Sequence, residues 1–396
     1  MRFRASDVAT ATGGSVIGAD VELDGVSFDS RSVARGELFV ALVAERDGHD
    51  FIPSARAAGA ASILAGRDID GGPAIIVEDT AQALMDLGRW ARDRVTGHVV
   101  GITGSVGKTS TKDLTRAALA AGLRTAANER SFNNEQGLPV TILNAPDDTE
   151  ALVLEMGMRG LGEIARLCEV GRPTIGVVTK VAAAHTARVG GIDGVTAAKS
   201  ELVRALPAAG VAVLNADDDR VMSMAAVASC DVLTFGTGPT ADVRVTDLSL
   251  DSLARPRFTL LSPWGAARVE LAVSGAHMAT NAAAALAVAG TCGVDLGAAA
   301  SALREASLSP WRMELARTAS GATLINDAYN ANPASMRAAI ETLLALDVAG
   351  RRIAVLGVMA ELGDPVEDHA AIGRLLAEHD ITLIACGTEL YGVDPS

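Results

Sequence analysis

Between residues 98 and 110 the chain reads His-Val-Val-Gly-Ile-Thr-Gly-Ser-Val-Gly-Lys-Thr-Ser, an apolar run that opens into a glycine-rich turn and delivers Lys108 and Thr109 to a helical pattern. Strand, turn and helix in that order suit a nucleotide phosphate site. Gly104 and Gly107 let the backbone curl so that its N–H groups face phosphate oxygens, Lys108 brings a point charge to the β/γ-phosphates, and Thr109 offers a hydroxyl to Mg²⁺. The usual P-loop spacing puts glycine at 102; this chain has Ile102 there, with its first glycine one residue earlier at Gly101. Glu155 closes a second apolar run, where a carboxylate can serve as an oxygen ligand for Mg²⁺. His185 follows a third run and Lys199 sits in a helical pattern; alone, neither separates a functional from an ordinary surface residue.

The elements that must position these residues belong to an α/β fold. Short Val/Ile/Leu runs at 99–103, 151–155, 174–180 and 211–215 alternate with helical patterns at 109–121 and 194–206, which predicts parallel strands with ligands beyond their carboxyl ends. Lys108, Glu155, His185 and Asp217 all fall just past such ends. From 232 to 273 the pattern turns to alternation around Ser-Pro-Trp-Gly, which predicts an antiparallel hairpin, and an Ala-rich helix is expected over about 278–290. Runs at 322–326, 352–357 and 381–387 predict a small third domain with a three-stranded sheet. The first hundred residues, with short strands and a glycine-punctuated loop at 47–49, predict a recognition domain. The expected division is 1–96, 97–308 and 309–396.

Composition narrows the partners. A chain of 396 residues with 49% hydrophobic residues has room for two or three cores, and a net charge of −14 is opposite to a nucleic-acid footprint. Any bound anion must be held by local cations. Cys168, Cys230, Cys292 and Cys386 lack paired spacing, so neither a disulfide framework nor a zinc site is expected. No apolar stretch suits a signal peptide or a membrane span. These features predict a soluble, cytoplasmic protein without nucleic-acid or membrane partners; a monomer is expected, although the residues do not fix oligomeric state. Lysine is confined to Lys108, Lys112, Lys180 and Lys199, and arginine supplies every other such cation. Lys112 reads as a helix-surface residue, whereas the point charge of Lys108 is poorly replaced by a guanidinium.

The order of the motifs says more than any one of them. Thr103 to Ser110 is followed by Ser131-Phe132-Asn133-Asn134-Glu135-Gln136-Gly137, Glu155-Met156-Gly157, His185, Lys199-Ser200-Glu201 and Asn215-Ala216-Asp217. Then come Gly275-Ala276-His277 with Asn281, Arg312, and Asp327-Ala328-Tyr329-Asn330-Ala331-Asn332-Pro333. The chain resembles the Mur ligase family. The resemblance implies three domains: a small α/β domain for a uridine nucleotide, a central P-loop domain with a mostly parallel sheet, and a C-terminal Rossmann-like domain. It implies ATP-dependent, ADP-forming amide ligation in peptidoglycan precursor synthesis, through an acyl phosphate. ATP would lie on Thr103, Gly104, Ser105, Gly107, Lys108, Thr109 and Ser110, with Asn281, Arg312 and Asp327 at adenine, phosphate and ribose. Thr109, Glu155, His185 and a carbamylated Lys199 would hold Mg²⁺, and Lys108, Lys199 and His185 would carry the catalytic roles. Ser30, Arg31, Asp47, His49, Asn133, Asn134, Tyr329, Asn330 and Asn332 would face the substrates, UDP-N-acetylmuramoyl-tripeptide and D-Ala-D-Ala.

Two departures and three rivals accompany that resemblance. Thr179-Lys180 stands where the family commonly has Thr-Asn, which adds a cation whose target, phosphate or solvent, the residues leave open. The family's C-terminal domain normally extends past the equivalent of Ser396, so this domain is expected to be incomplete. A relative adding the third amino acid usually has a Tyr-Ala-His type sequence where this chain has Asn330-Ala331-Asn332-Pro333. A folate polyglutamating ligase does not suit Asp29-Ser30-Arg31. The third rival is a shortened nucleotide-binding module without turnover.

Overall fold

Uninterrupted Val/Ile/Leu runs suit strands buried on both faces, and such strands build the sheets of this mixed α/β chain. The computed structural model describes residues 1–129, 132–182, 189–360, 362 and 364–392. The chain divides into two units, one of Met1–Val99, Arg124–Met156 and Arg166–Pro173, the other of Val100–Leu123, Gly157–Ala165 and Thr174–Ser396.

The second unit is organised by a mostly parallel sheet. The Val100–Thr103 part of strand His98–Thr103 pairs with Ile175–Val178, which pairs with Val211–Asn215, followed by Asp231–Gly236 and Val243–Leu250, all in parallel. Pro256–Ser262 and Gly265–Glu270 complete the order as an antiparallel hairpin. Thr103, Val178 and Leu214 lie level across three neighbouring strands. The residues that follow them therefore emerge together at the carboxyl edge, where open α/β sheets receive ligands.

Two helices cover the loop strand. Lys108–Ala120 buries Leu114, Ala118 and Leu119, and the Ala-rich helix His277–Thr291 packs along it with Ala282 to Ala285 fully buried. Small side chains permit such a close helix approach. Alternation over 232–273 marks the hairpin, but Asp231–Gly236 and Val243–Leu250 still run parallel to their inner neighbours. Alternation reports that one face meets solvent; it does not report strand direction.

The C-terminal region departs from the three-stranded expectation. Thr323–Asn326 pairs antiparallel with Glu314–Arg317, while Ile353–Leu356 pairs in parallel with Thr382–Ala385, so the described residues form two separate two-stranded sheets. The reason is local: Ala322 N–H donates to Thr318 Oγ1 at 3.0 Å, Gly321 adopts a φ of +86°, and this tight turn folds 323–326 back on 314–317. Helices Pro333–Ala345 and Pro365–Glu378 enclose a core of Met336, Ile340, Ile372 and Leu376.

In the first unit Ser15–Ile17 pairs antiparallel with Ala74–Ile76, and the order continues in parallel through Ser62–Ala65, Leu38–Val40 and Val26–Ser27. Phe39, Ile63 and Ala65 form its core with Ile52 and Ala55 of helix Ile52–Ala58. The unit also carries Thr125–Ala127 and Ala151–Glu155 as a parallel pair, and helix Gly137–Leu143. No helix of the described residues is long and apolar enough to cross a membrane.

Ile372 is 1% exposed at the centre of the C-terminal core. Ile372→Ala is expected to cost about 2–5 kcal/mol of that region's stability, read as a lower urea midpoint for protection of its core amides in hydrogen exchange.

Candidate active site

Two glycines shape the loop after strand His98–Thr103. Gly104 adopts a φ of +153° and Gly107 one of +83°; a Cβ at 104 would collide with Thr179 Oγ1, and one at 107 would stand 2.9 Å from Asn281 Oδ1. Their neighbours fit only because the side chains are absent. The loop is clamped to the next strand's tip. Ser105 N–H donates to the Lys180 carbonyl at 2.7 Å, Ser105 Oγ exchanges 2.9 Å bonds with the backbone of Ala182, and Thr179 Oγ1 donates to the Val106 carbonyl at 2.7 Å. The Ser105 N–H is thereby occupied. The first N–H groups of helix Lys108–Ala120 have no acceptor within the helix, an arrangement that suits an anion. Thr103 is fully buried, its hydroxyl without a partner among the described residues.

Lys108 folds back to donate to the Gly104 carbonyl at 2.8 Å. Lys199, on helix Ile192–Arg204, is 3% exposed, and burial, reinforced by the Lys108 charge, holds its pKa well below the usual lysine value. A buried amine with depressed basicity is a nucleophile in its neutral form. Lys199 is thus not the surface lysine its helical pattern suggests. Lys112 is likewise buried, with its Nζ 3.1 Å from Asp113 Oδ1, which corrects the surface expectation.

The strand tips and the loop enclose a cavity of about 250 Å³. Val106, Gly107 and Ser110 line one side, Thr179, Lys180, Asn215 and Asp217 another, and His277, Met278 and Asn281 a third. Arg312, Asp327 and Ser335 close it. A smaller cavity of about 60 Å³ joins Ser105 to Ser110 with Arg312, Asn330, Asn332 and Ser335. Asn215 Nδ2 donates to the Thr179 carbonyl at 2.7 Å, and Asp217 accepts from the Thr237 and Gly238 N–H groups, which locks the adjacent tips together.

Charge at this cavity is tuned by burial. Burial raises the Asp327 carboxyl to about 6, although it accepts the Met313 N–H at 3.1 Å and feels the Arg312 charge. Burial, then the charge of Lys180, lowers His277 to about 4. Arg312 donates to Thr109 Oγ1 at 3.3 Å and lies 4.2 Å over the exposed Tyr329 ring. Asn332 caps helix Pro333–Ala345 through a reciprocal bond pair with Ser335, so its first task is structural. Asn330 accepts the Ala331 N–H at 3.0 Å.

Glu155, Asn133, Asn134, Ser30, Arg31, Asp47 and His49 lie in the first unit. Glu155 is 1% exposed; Asn133 Nδ2 donates to its Oε1 at 2.7 Å, and its buried Oε2 has no partner among the described residues. A carboxylate oriented by one oxygen and orphaned at the other fits a cation ligand. Asn134 accepts from the Gly137 N–H at 2.9 Å and so caps its own turn. Arg31 is exposed and paired with Asp29 at 2.7 Å, with Ser30 part-buried beside it. Gly66 N–H donates to His49 Nε2 at 3.0 Å, which leaves the His49 proton on Nδ1, facing Asp47 Oδ1 at 2.6 Å. The His49 backbone N–H, then that ring contact, lower Asp47 to about 2, so this pair holds the loop. His185 and Ser131 lie outside the described residues.

The sequence leaves the target of Lys180 open and gives His277 no role of its own; both border the cavity. The signal available was Lys180's position directly after a strand end, shared with Lys108 and Asp217.

Comparison with known proteins gives consistent matches. The family description "Mur ligase middle domain" matches residues 102–289, and "Mur ligase, glutamate ligase domain" matches 311–396. The chain is 43% identical over 395 residues to UDP-N-acetylmuramoyl-tripeptide–D-alanyl-D-alanine ligase of Mycobacterium tuberculosis, covering 92% of this chain and 77% of that protein. Its structure is similar to MurF from Acinetobacter baumannii, with a TM-score of 0.89 and 32% identity over 98% of this chain and 86% of that one. It is also similar to MurF ligase from Thermotoga maritima in complex with ADP, with a TM-score of 0.79 and 30% identity over 91% of this chain and 84% of that one.

His277 offers a test of the cavity's electrostatics. Its folded pKa lies below the usual 6.5, so the unfolded chain binds the proton first and stability is lost as pH falls from 6.5 through about 4. In thermal scans between pH 7 and 4.5, His277→Gln is expected to lose about 1–3 kcal/mol less stability than the parent protein. Parallel curves would contradict the burial account.

Proposed function

The chain belongs to the Mur ligase family, and from that premise we propose that it is an ATP-dependent, ADP-forming ligase joining D-alanyl-D-alanine to UDP-N-acetylmuramoyl-tripeptide in peptidoglycan precursor synthesis. The observation that carries the proposal is one cavity wall shared, within one unit, by the glycine loop and by Arg312, Asn330, Asn332 and Ser335 of the C-terminal region. A polyphosphate reaching from the loop would meet residues of both regions there. Similarity to a relative bound to ADP supports the nucleotide part of the reading.

The chemistry follows from charge. A carboxylate is a poor electrophile toward an amine, so its oxygen attacks the γ-phosphorus of ATP, ADP leaves, and an acyl phosphate results. The dipeptide amine then attacks the acyl carbon, the C–O bond to phosphate breaks, and the ammonium proton is lost to solvent or a base. Lys108 and Arg312 neutralise phosphoryl charge that would otherwise repel the attacking carboxylate, and the helix N–H groups hold the β-phosphate. Asn281 serves adenine and ionised Asp327 serves ribose. Tyr329, Asn330, Asn332, Asn133 and Asn134 border the peptide, while Ser30, Arg31, Asp47 and His49 serve the uridine end.

Thr109, Glu155, His185 and Lys199 are the residues assigned to Mg²⁺, and the orphaned Glu155 oxygen supports this. Bound there, the cation supplies charge neutralisation to the phosphates. Lys199 would join as a carbamate: its neutral amine adds to CO₂, a C–N bond forms, and the nitrogen loses a proton. The lowered pKa of Lys199 favours that neutral amine. The reading divides the chain into a uridine-nucleotide part, 1–96, an ATP part, 97–308, and a Rossmann-like ligase part, 309–396. It describes a monomeric cytoplasmic enzyme without nucleic-acid or membrane partners.

The deciding assay is phosphate release with UDP-tripeptide plus D-Ala-D-Ala, against UDP-dipeptide plus a third amino acid. Turnover is expected only with the first pair; turnover with the second pair alone, or with neither, contradicts the proposal. Lys108→Ala should lower kcat by at least about 100-fold with an unchanged circular dichroism spectrum. Stripping dissolved CO₂ at mildly acidic pH should lower activity reversibly and remove the carbamate signal in ¹³CO₂ NMR; indifference to CO₂ would exclude the carbamate.

A further inference from the structure

The stretch that carries Arg312 is bent against the preference of its residues. Trp311 and Met313 both adopt positive φ, +61° and +51°, a region that bulky L-residues enter rarely and keep only when their surroundings impose it. Two anchors impose it here. Downstream, the Met313 N–H donates to Asp327 Oδ1 at 3.1 Å. Upstream, the Ser309 N–H donates to Asp113 Oδ2 at 2.7 Å, while Lys112 Nζ lies 3.1 Å from Asp113 Oδ1 and 3.5 Å from Ser309 Oγ.

This upstream anchor is an unusual use of a helix. Lys112 and Asp113 are 1% and 6% exposed, and helices seldom bury adjacent opposite charges, because desolvation offsets the attraction. Simple helix stability therefore does not explain them. What they grip is a backbone N–H 196 positions downstream. Thr109 and Asp113 stand four residues apart and so share one helix face. The chain from Ser309 to Arg312 consequently runs along that face, fastened at Asp113 and touching Thr109 through Arg312. The guanidinium so placed lines both cavities, and its buried Nε has no partner among the described residues.

We infer that Asp113, supported by Lys112, is a positioning residue: by holding Ser309 it keeps the strained 309–313 stretch in place and presents Arg312 to the phosphates of a nucleotide on the glycine loop. The inference rests on the proposed phosphate role of Arg312. An arginine has many rotamers to lose on binding, and an anchor that removes them beforehand raises affinity without touching the ligand. The helix that begins at the phosphate site would thus also set the geometry of the arginine that faces it.

The test is calorimetric titration of the full chain with ADP, comparing parent, Asp113→Ala, Arg312→Ala and the double variant. Asp113→Ala should weaken ADP binding about 5–20-fold, and in the Arg312→Ala background it should add less than about 2-fold, since both remove the same contact. Asp113→Asn keeps an acceptor for the Ser309 N–H and should remain within about 3-fold of the parent. A purely structural role for Asp113 predicts a lower melting temperature with unchanged ADP affinity well below it, or losses that multiply in the double variant; either result overturns the inference. An unaltered Kd in Arg312→Ala alone overturns the phosphate role of Arg312 and this inference with it. Should Asp113→Ala fail to fold, Ser309→Pro removes the same bond from the other side. Coupling to Arg312→Ala supports the inference there too, and unchanged affinity or independent losses overturn it.

Discussion

An acidic chain can hold a polyphosphate only by concentrating its cations, and this constraint organises the second unit. With a net charge of −14, the average field repels the ligand, so attraction must come from groups within a few ångströms. The four lysines all fall in this unit, and three of them mark the sheet's carboxyl edge or its neighbourhood: Lys108 on the loop, Lys180 at the cavity, and Lys199 close enough for the Lys108 charge to depress it. Like charges gathered in this way destabilise one another. Burial adds to that cost, and the outcome is a Lys199 amine inclined to be neutral and a His277 that stays uncharged. An anionic ligand relieves the repulsion, which gives the site a preference before any specific contact is made.

Parallel sheet geometry is what lets so few residues suffice. Because Thr103, Val178 and Leu214 are in register, loops from three strands start at one level and brace one another: Ser105 against Lys180 and Ala182, Thr179 against Val106, Asn215 against Thr179. The glycine loop is thus held by its neighbours before ligand arrives. Preorganisation of this kind lowers the entropy lost on binding and keeps helix N–H groups aimed at one point. The C-terminal region contributes through a single strained stretch, in which Trp311 and Met313 keep a backbone shape that isolated residues of their type avoid. Strain persists where other contacts outweigh it, and the part-buried, charge-assisted bonds to Asp113 and Asp327 are of that order.

Much of this was legible in the residues alone. The loop could be read because glycine, lysine and threonine at fixed spacing have few other uses, and the α/β class because buried strands and amphipathic helices have distinct periods. Helices Lys108–Ala120 and His277–Thr291 and the hairpin Pro256–Glu270 follow from local pattern, whose physics is confined to neighbours in sequence. Family resemblance supplied candidate roles for Lys199 and Arg312 that periodicity could not, whereas Glu155 was already marked by its place at a strand end. Only the fold showed Glu155 with one oxygen engaged by Asn133 and the other orphaned.

Tertiary structure decided the rest. Whether Lys112 and Lys199 face water depends on what packs over their helices, and the residues that do so are distant in the chain: Ser309 lies 197 positions from Lys112. Pairing of 323–326 with 314–317, in place of a sheet shared with 353–356 and 382–385, was decided by strand partners that the apolar runs do not specify. Spacing alone did not show that Asp47 and His49 partner each other, or that His49 also accepts from Gly66. Residue type and spacing determine which chemistry a chain can offer, since they set charge, donors and backbone freedom. Burial and partnership, which tune pKa values and aim side chains, arise from contacts between remote segments and exist only once the chain has folded.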